Sequence, residues 1–273
     1  AYASDTGRVR ADNQDYVGVF INEAGAQLAI VADGVGGENG GDVAATMAVS
    51  HIGNEWQQTD IHDIVAARNW LQSQAAQENE TILTTSNRYR TLRGMATTLV
   101  IAVILVDQLV IANLGDSRAY LIRDGQLRQL TVDHNLASEL VRRGAITEDE
   151  AVKHPGRHVI TRQLGVTEEA EPDVFEFATR PGDMLVLTTD GMPKHVSDEE
   201  ILAKINDAPT ITDAVAELIS ATNEAGGSDN VTVLIGRQES EARYHGNESN
   251  DWRTLPNCRT IGRRWDGERL SRP

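Results

Sequence analysis

The sequence predicts an α+β domain in which antiparallel β-sheets pack against helices. Short runs rich in β-branched residues cluster in the middle of the chain, each bounded by Gly, Asp, Asn or Pro, as is typical of strands. Turn pairs between neighbouring runs favour antiparallel hairpins. Stretches with helical spacing lie between the strand clusters, so a layered packing is the simplest way to bury both kinds of apolar face.

The boundaries of the predicted strands position the motifs. Asp107-Gln108 and Asp124-Gly125 each fall between two successive runs and predict hairpin turns. The predicted strands are residues 16–20, 27–32, 97–106, 108–114, 118–123, 173–178, 184–189 and 230–236.

Three stretches, residues 42–57, 61–87 and 210–225, place their apolar residues on one helical face. Residues 133–165 break this pattern with a short helical piece at 136–143 and a turn at His154-Pro155-Gly156. We therefore expect this segment to form a surface flap on the main domain.

The domain is predicted to span residues 1–236. From residue 237 to residue 273 the apolar periodicity stops and the chain turns polar, which predicts a flexible tail.

Composition narrows the functional classes. The net charge of −16 argues against nucleic acid or an anionic membrane as partner, because such binding depends on clustered Lys and Arg. Cys258 is the only cysteine, so no intrachain disulfide can form. No apolar run approaches the roughly 18 residues of a membrane span, and residues 1–10 lack the apolar region of a secretory signal. These features predict a cytoplasmic protein without membrane insertion.

Aspartates recur beside glycine or polar turn residues at the ends of the predicted strands. One Asp-Gly pair would indicate only a turn, but repetition at several strand ends predicts a cluster of carboxylates. Such a cluster would be destabilised by repulsion unless cations lay between its members. The segments are Arg10-Ala11-Asp12-Asn13-Gln14-Asp15, Asp33-Gly34, Gly115-Asp116-Ser117-Arg118, Asp190-Gly191 and Gly226-Gly227-Ser228-Asp229-Asn230.

Carboxylates without His or Cys partners are hard oxygen ligands and suit Mg²⁺ or Mn²⁺. Two such ions about 4 Å apart can activate one hydroxide for attack on phosphorus. The planar guanidinium of Arg10 would then hold the phosphate oxygens.

In these motifs the sequence resembles the metal-dependent protein phosphatases of type 2C, in their bacterial form. The resemblance covers about residues 3–236 and includes RxxNQD, DGxGG, Thr97-Thr98, GDSR, Asp133-His134, TDG and GGSDN in order. It implies a four-layer αββα sandwich of two antiparallel sheets flanked by helices, with metal ions in a cleft at one end. It also implies hydrolysis of phosphoserine and phosphothreonine on proteins.

The resemblance also implies residue roles. Asp33 would bridge two metal ions and the Gly34 carbonyl would contact one of them, with Asp190 and Asp229 completing the pair. Asp15 would act through metal-bound water. Asp116 resembles the aspartate that, with Asp190, holds a third ion in many bacterial members.

The sequence departs from the family where members carry a histidine, after the Asp-Gly pair or after the following glycines. Val35 and Glu38 occupy these positions. Glu38 is either a substitute proton donor or a solvated loop residue.

Other chemistries fit less well. Cys258 to Arg264 has the Cys-x5-Arg spacing of thiol phosphatases but lies in the polar tail, without the strand and helix that cradle an anion. The glycines of residues 34–41 lack the Gly-Lys-Ser/Thr of a nucleotide loop. His134, His154 and His158 receive no role.

Two related functions remain as alternatives. A relative that binds phosphoproteins without hydrolysing them should lack metal aspartates, and all are present. A phosphatase for sigma-factor regulators would share the chemistry, but the complete motifs favour the broad serine/threonine type. Its partners would be phosphorylated proteins, including a membrane serine/threonine kinase and the substrates of that kinase. The chain is predicted to act as a monomer.

Overall fold

The computed structural model describes residues 1–35 and 40–239. Its strands are β1 (Tyr2–Asp5), β2 (Asp15–Ile21), β3 (Gln27–Val35), β4 (Ala96–Thr97), β5 (Leu99–Ile104), β6 (Gln108–Leu114), β7 (Arg118–Arg123), β8 (Gln126–Gln129), β9 (Asp173–Ala178), β10 (Met184–Thr188) and β11 (Val231–Arg237). Its α-helices are α1 (Gly41–Gln57), α2 (Ile64–Arg88), α3 (Leu136–Arg142), α4 (Glu148–Ala151), α5 (Asp198–Asp207) and α6 (Ile211–Glu224).

The strands form two antiparallel sheets. One has the order β1-β11-β10-β7-β8, and the other has the order β2-β3-β5-β6-β9, with β4 pairing to β3. The hairpin turns at Asp107 and Asp124 join β5 to β6 and β7 to β8, as the sequence predicts.

Alternation along the strands builds three apolar layers. On β3, Leu28 and Ile30 pack with α1 and α2, whereas Ala29 and Val31 point to the other sheet and meet Leu187 of β10. A separate cluster joins the outer face of the β1-β11-β10-β7-β8 sheet to α5 and α6. The layers therefore run helix, sheet, sheet, helix, which confirms the predicted four-layer αββα sandwich.

The structure corrects the prediction of one strand over residues 97–106. The run is divided at Thr98 between β4 and β5. The Thr98 backbone N–H donates to the Asp33 carbonyl, and the Thr98 hydroxyl accepts from the Asp33 N–H. Thr98 therefore serves the end of β3 instead of continuing a regular strand.

Four elements were not predicted: β1, β8, α4 and α5. The two strands are short and polar, so they lack an alternating apolar signal. The α5 helix does carry a start signal, since Ser197 and Glu200 form a capping box.

Residues 133–165 contain α3, α4 and a 3₁₀ turn at Pro155–His158. The short helix predicted at 136–143 is confirmed by α3. The predicted tail lies outside the described residues from residue 240 onward, as do Glu38 and Cys258.

None of the helices in residues 1–35 and 40–239 combines the length and apolar character that crossing a membrane requires.

Candidate active site

A polar cleft of about 280 Å³ opens where the ends of β3, β10 and β11 approach each other. Most of the predicted site residues line it. They are Arg10, Asp33, Gly34, Asp116, Asp190 and Asp229. The remaining one, Asp15, is buried beside them and is only 7% exposed.

The pairing of β2 with β3 places Asp15 directly opposite Asp33. Cross-strand partners project from the same face of a sheet, so the two carboxylates are neighbours. The hydroxyls of Thr189 and Thr232 donate to Oδ2 of Asp15 at 2.8 and 2.7 Å. Its Oδ1 is buried and has no hydrogen-bond partner. The protein therefore hydrogen-bonds one carboxylate oxygen of Asp15 and leaves the other without a partner.

The backbone of Asp33 is fixed by two threonines. The Asp33 carbonyl accepts from the Thr97 hydroxyl and the Thr98 N–H, both at 2.9 Å. At Gly34, a Cβ atom would collide with the Gly41 carbonyl at the start of α1. Only glycine allows this close approach of strand and helix.

Asp116 sits at a turn that a histidine holds in place. Gly115 has φ +114°, a conformation that favours glycine. The Gly115 N–H donates to Nδ1 of His134 at 3.1 Å, and the Gly115 carbonyl accepts from the His134 N–H at 2.9 Å. The other ring nitrogen, Nε2, lies 3.0 Å from Oδ2 of Asp173 and 2.9 Å from Nη1 of Arg162.

Asp190 and Asp229 contact two cations of the chain itself. Nζ of Lys194 lies 2.5 Å from Oδ2 of Asp190 and 2.8 Å from Oδ2 of Asp229. Arg10 forms a two-pronged contact with Asp229, at 2.9 and 3.1 Å. The Arg10 side chain is 51% exposed, so this guanidinium lies at the rim of the cleft.

Asn230 ties the loop that carries Arg10 to the cleft. Its Oδ1 accepts from the Gln14 N–H at 2.9 Å, and its Nδ2 donates to the carbonyls of Thr6 and Asp12 at 2.9 Å. The position of Arg10 therefore depends on a residue of the GGSDN motif.

The aspartates of the cleft repel one another, and burial together with this repulsion changes their pKa values. Burial, together with the neighbouring carboxylates, raises the pKa of Asp15 to about 7 and that of Asp116 to about 8. The same causes raise the pKa of Asp33 and of Asp190. Burial would also raise the pKa of Asp229, but Lys194 and Arg10 hold it below its usual range. Most of the cluster therefore favours cations or protons.

The donor set fits divalent cations that prefer oxygen. Three buried carboxylate oxygens, Oδ1 of Asp15, Asp116 and Asp190, have no hydrogen-bond partner. Buried polar atoms without partners are rare, and these three all belong to carboxylates. Within residues 1–35 and 40–239, however, no three acidic, His or Cys side chains already form a metal cage. A cation that bound to these oxygens would therefore require the side chains to adjust.

The sequence reasoning missed Lys194, His134 and Asn230. The relation of Lys194 to Asp190 is visible as an i,i+4 spacing, but its contact with Asp229 joins positions 35 residues apart. The contact between His134 and Gly115 likewise depends on the fold. His158 and Ile160, from the predicted flap, line the cleft.

The family model for protein phosphatase 2C matches residues 7–233. The serine/threonine phosphatase Stp of Listeria monocytogenes is 39% identical over 86% of this chain and 93% of its own length. Protein phosphatase PhpP of Streptococcus pneumoniae is 38% identical over 88% of this chain and 97% of its own.

Solved structures that resemble this fold are also serine/threonine phosphatases. The phosphatase Stp1 of Staphylococcus aureus superposes with a TM-score of 0.84 at 33% identity, covering 88% of this chain and 94% of that one. The catalytic domain of PstP in complex with two manganese ions gives a TM-score of 0.74 at 35% identity, covering 86% and 95%. The chain belongs to the protein phosphatase 2C family. It is a protein serine/threonine phosphatase.

Proposed function

We propose that the chain hydrolyses phosphoserine and phosphothreonine on proteins with the help of Mn²⁺ or Mg²⁺ bound in the cleft. The observation that carries this proposal is the set of buried, unpartnered carboxylate oxygens on Asp15, Asp116 and Asp190. A surplus of buried negative charge destabilises a fold unless cations compensate it. When bound, such cations polarise phosphoryl oxygens and lower the pKa of water.

In this proposal, residues 1–236 are the catalytic domain and the aspartates divide the cations among themselves. Asp33, the Gly34 carbonyl, Asp190 and Asp229 hold two ions, with Asp15 acting through water. Asp116 holds a third ion together with Asp190. The related PstP structure, which contains two manganese ions, supports the binding of a metal pair.

Arg10 is proposed to bind the phosphate group. Its contact with Asp229 is half exposed and lies at the cleft rim, so exchange of this partner for a phosphate requires only a side-chain movement. The planar guanidinium matches two phosphate oxygens at once. Asn230 supports this role by anchoring the loop at Gln14.

The proposed substrates are cytoplasmic proteins that a membrane serine/threonine kinase phosphorylates, including the kinase itself. The phosphatase is proposed to act as a monomer. Residues 133–165 form the flap in this proposal. The placement of His158 and Ile160 on the cleft wall supports control of substrate access by this segment.

The test is release of phosphate from a phosphothreonine peptide. Mn²⁺ should support turnover, chelator should abolish it, and fresh Mn²⁺ should restore it. Asp33→Asn should abolish turnover, whereas Asp107→Asn, at an exposed hairpin turn, should not. Activity that survives chelation but is lost on alkylation of Cys258 would replace the proposal with thiol chemistry.

A further inference from the structure

Lys194 stands in the middle of the carboxylate cluster. The Lys194 N–H donates to the Asp190 carbonyl at 3.1 Å, so a single turn of backbone fixes the lysine beside this aspartate. Its side chain is only 22% exposed, and it extends into the cleft. The chain contains only two other lysines, Lys153 and Lys204.

The ammonium group uses the oxygens that the proposed function assigns to metal ions. Nζ contacts Oδ2 of Asp190 and Oδ2 of Asp229 at distances of 2.5 and 2.8 Å, which are strong, charge-assisted hydrogen bonds. A divalent cation on the same oxygens would lie within a few Å of Nζ. At such distances in a partly buried site, two positive charges repel each other strongly. The ammonium and the cation therefore compete.

We propose that Lys194 is a tethered counter-ion, which pairs Asp190 with Asp229 in the metal-free protein and must leave them before a divalent cation binds. The lysine thus raises the metal concentration that the phosphatase needs for activation. This inference rests on the proposed function. The flexible four-carbon stem allows the ammonium to withdraw into the open part of the cleft.

Direct measurement of Mn²⁺ binding tests the competition without reference to turnover. Calorimetric titration of wild type and Lys194→Gln, at one pH and ionic strength, should give a dissociation constant about tenfold or more lower for the variant, because no ammonium has to be displaced. Lys204→Gln, on α5 and away from the cleft, is the matched control and should bind as wild type does. Lys194→Arg keeps the charge and should not gain affinity.

A second measurement needs no substitution. Acetylation of the metal-free wild type, followed by peptide mass spectrometry, should label Lys194 more slowly than Lys153 and Lys204, because its ammonium is buried between two carboxylates. Mn²⁺ should increase labelling of Lys194 by about threefold or more while the other two lysines serve as internal references.

The outcomes separate this inference from the function on which it rests. If wild type binds Mn²⁺ and Lys194→Gln binds it equally or more weakly, the counter-ion role is wrong and the metal site stands. Slower labelling of Lys194 in the presence of Mn²⁺ would overturn it in the same way. If wild type binds no Mn²⁺ at all, the proposed metal chemistry fails, and the inference fails with it.

Discussion

The two ends of strand β10 carry aspartates in opposite electrostatic situations. Asp183 precedes the strand and is 4% exposed, and Asp190 follows it with a side chain that is 17% exposed. Asp183 accepts from the Arg123 guanidinium at 2.9 and 2.5 Å and from the Arg180 N–H at 2.9 Å. Asp190 has Lys194 on one oxygen and nothing on the other.

The pKa values follow this difference. Hydrogen bonds from Arg123 lower the pKa of Asp183, whereas burial raises that of Asp190 despite the contact with Lys194. Both carboxylates are removed from water, so burial alone does not distinguish the aspartate that lines the cleft from the other. What separates them is compensation: the structural aspartate is fully hydrogen-bonded, and the one in the cleft keeps an unsatisfied oxygen.

The largest effect is expected at the cleft end. Asp190→Asn should reduce Mn²⁺-dependent hydrolysis of a phosphothreonine peptide by about 10³-fold or more, because the amide removes a charged ligand of the proposed site. Metal-free stability should change little, because Lys194 keeps Asp229 as a charged partner and the amide relieves repulsion among the carboxylates. Asp183→Asn is the control and should keep turnover within about threefold. Near-normal turnover of Asp190→Asn would contradict the assignment.

At the other end of β10 the effect should be on stability. Asp183→Asn should lower the free energy of unfolding by about 2 kcal/mol in urea titrations, because the Arg123 guanidinium loses its charged partner. This loss is smaller than expected for a fully buried ion pair because the Arg123 side chain is 34% exposed. A double-mutant cycle with Arg123→Gln should give a coupling energy of about 1 kcal/mol or more. Additive single effects would show that the pair contributes nothing.

The stability difference between wild type and Asp183→Asn should also depend on pH. A lowered pKa in the folded state stabilises the protein while the carboxylate is ionised, above its unfolded pKa, and this contribution is lost as pH falls through the folded value. The difference should therefore be full at about pH 6 and smaller at about pH 3.5. Urea titrations at both pH values measure it. A difference that grows in acid would reverse the sign of the pKa shift.

The smallest effect is expected for the exposed neighbour of this pair. Asp124 contacts Arg180 but is 78% exposed, and its φ of +53° suits asparagine. Asp124→Asn should change the free energy of unfolding by no more than about 0.5 kcal/mol. A loss above about 1 kcal/mol would mean that exposure does not weaken ion pairs at this end of the molecule.

The sequence predicted the elements whose signal is local. Short runs rich in β-branched residues located β3, β6 and β10, and the Asp-Gly pair located the turn at Asp124. The polar strands β1 and β8 lack such a pattern and form because β11 and β7 offer open edges. The pairing of β1 with β11 joins distant parts of the chain, which no short window contains, whereas β8 follows β7 directly through the hairpin turn at Asp124.

The site likewise combines features with a local sequence signal and contacts between residues that are distant in sequence. Repeated aspartates at strand ends predicted the carboxylates that line the cleft, because each aspartate stands next to the turn residues that mark the strand end. The contact of Lys194 with Asp229 and the hold of His134 on Gly115 were not predicted, since each joins residues far apart in sequence. The assignment of metal ligands stays a prediction.

The register between β2 and β3 has a further consequence for how this site can change over evolution. Asp15 and Asp33 face each other as one rung of the ladder, and side chains alternate between the two faces of a sheet. Inserting or deleting one residue within either strand would turn one carboxylate toward the opposite face. Loops around the cleft can vary in length, but the spacing inside these two strands is inherited as a unit with the chemistry.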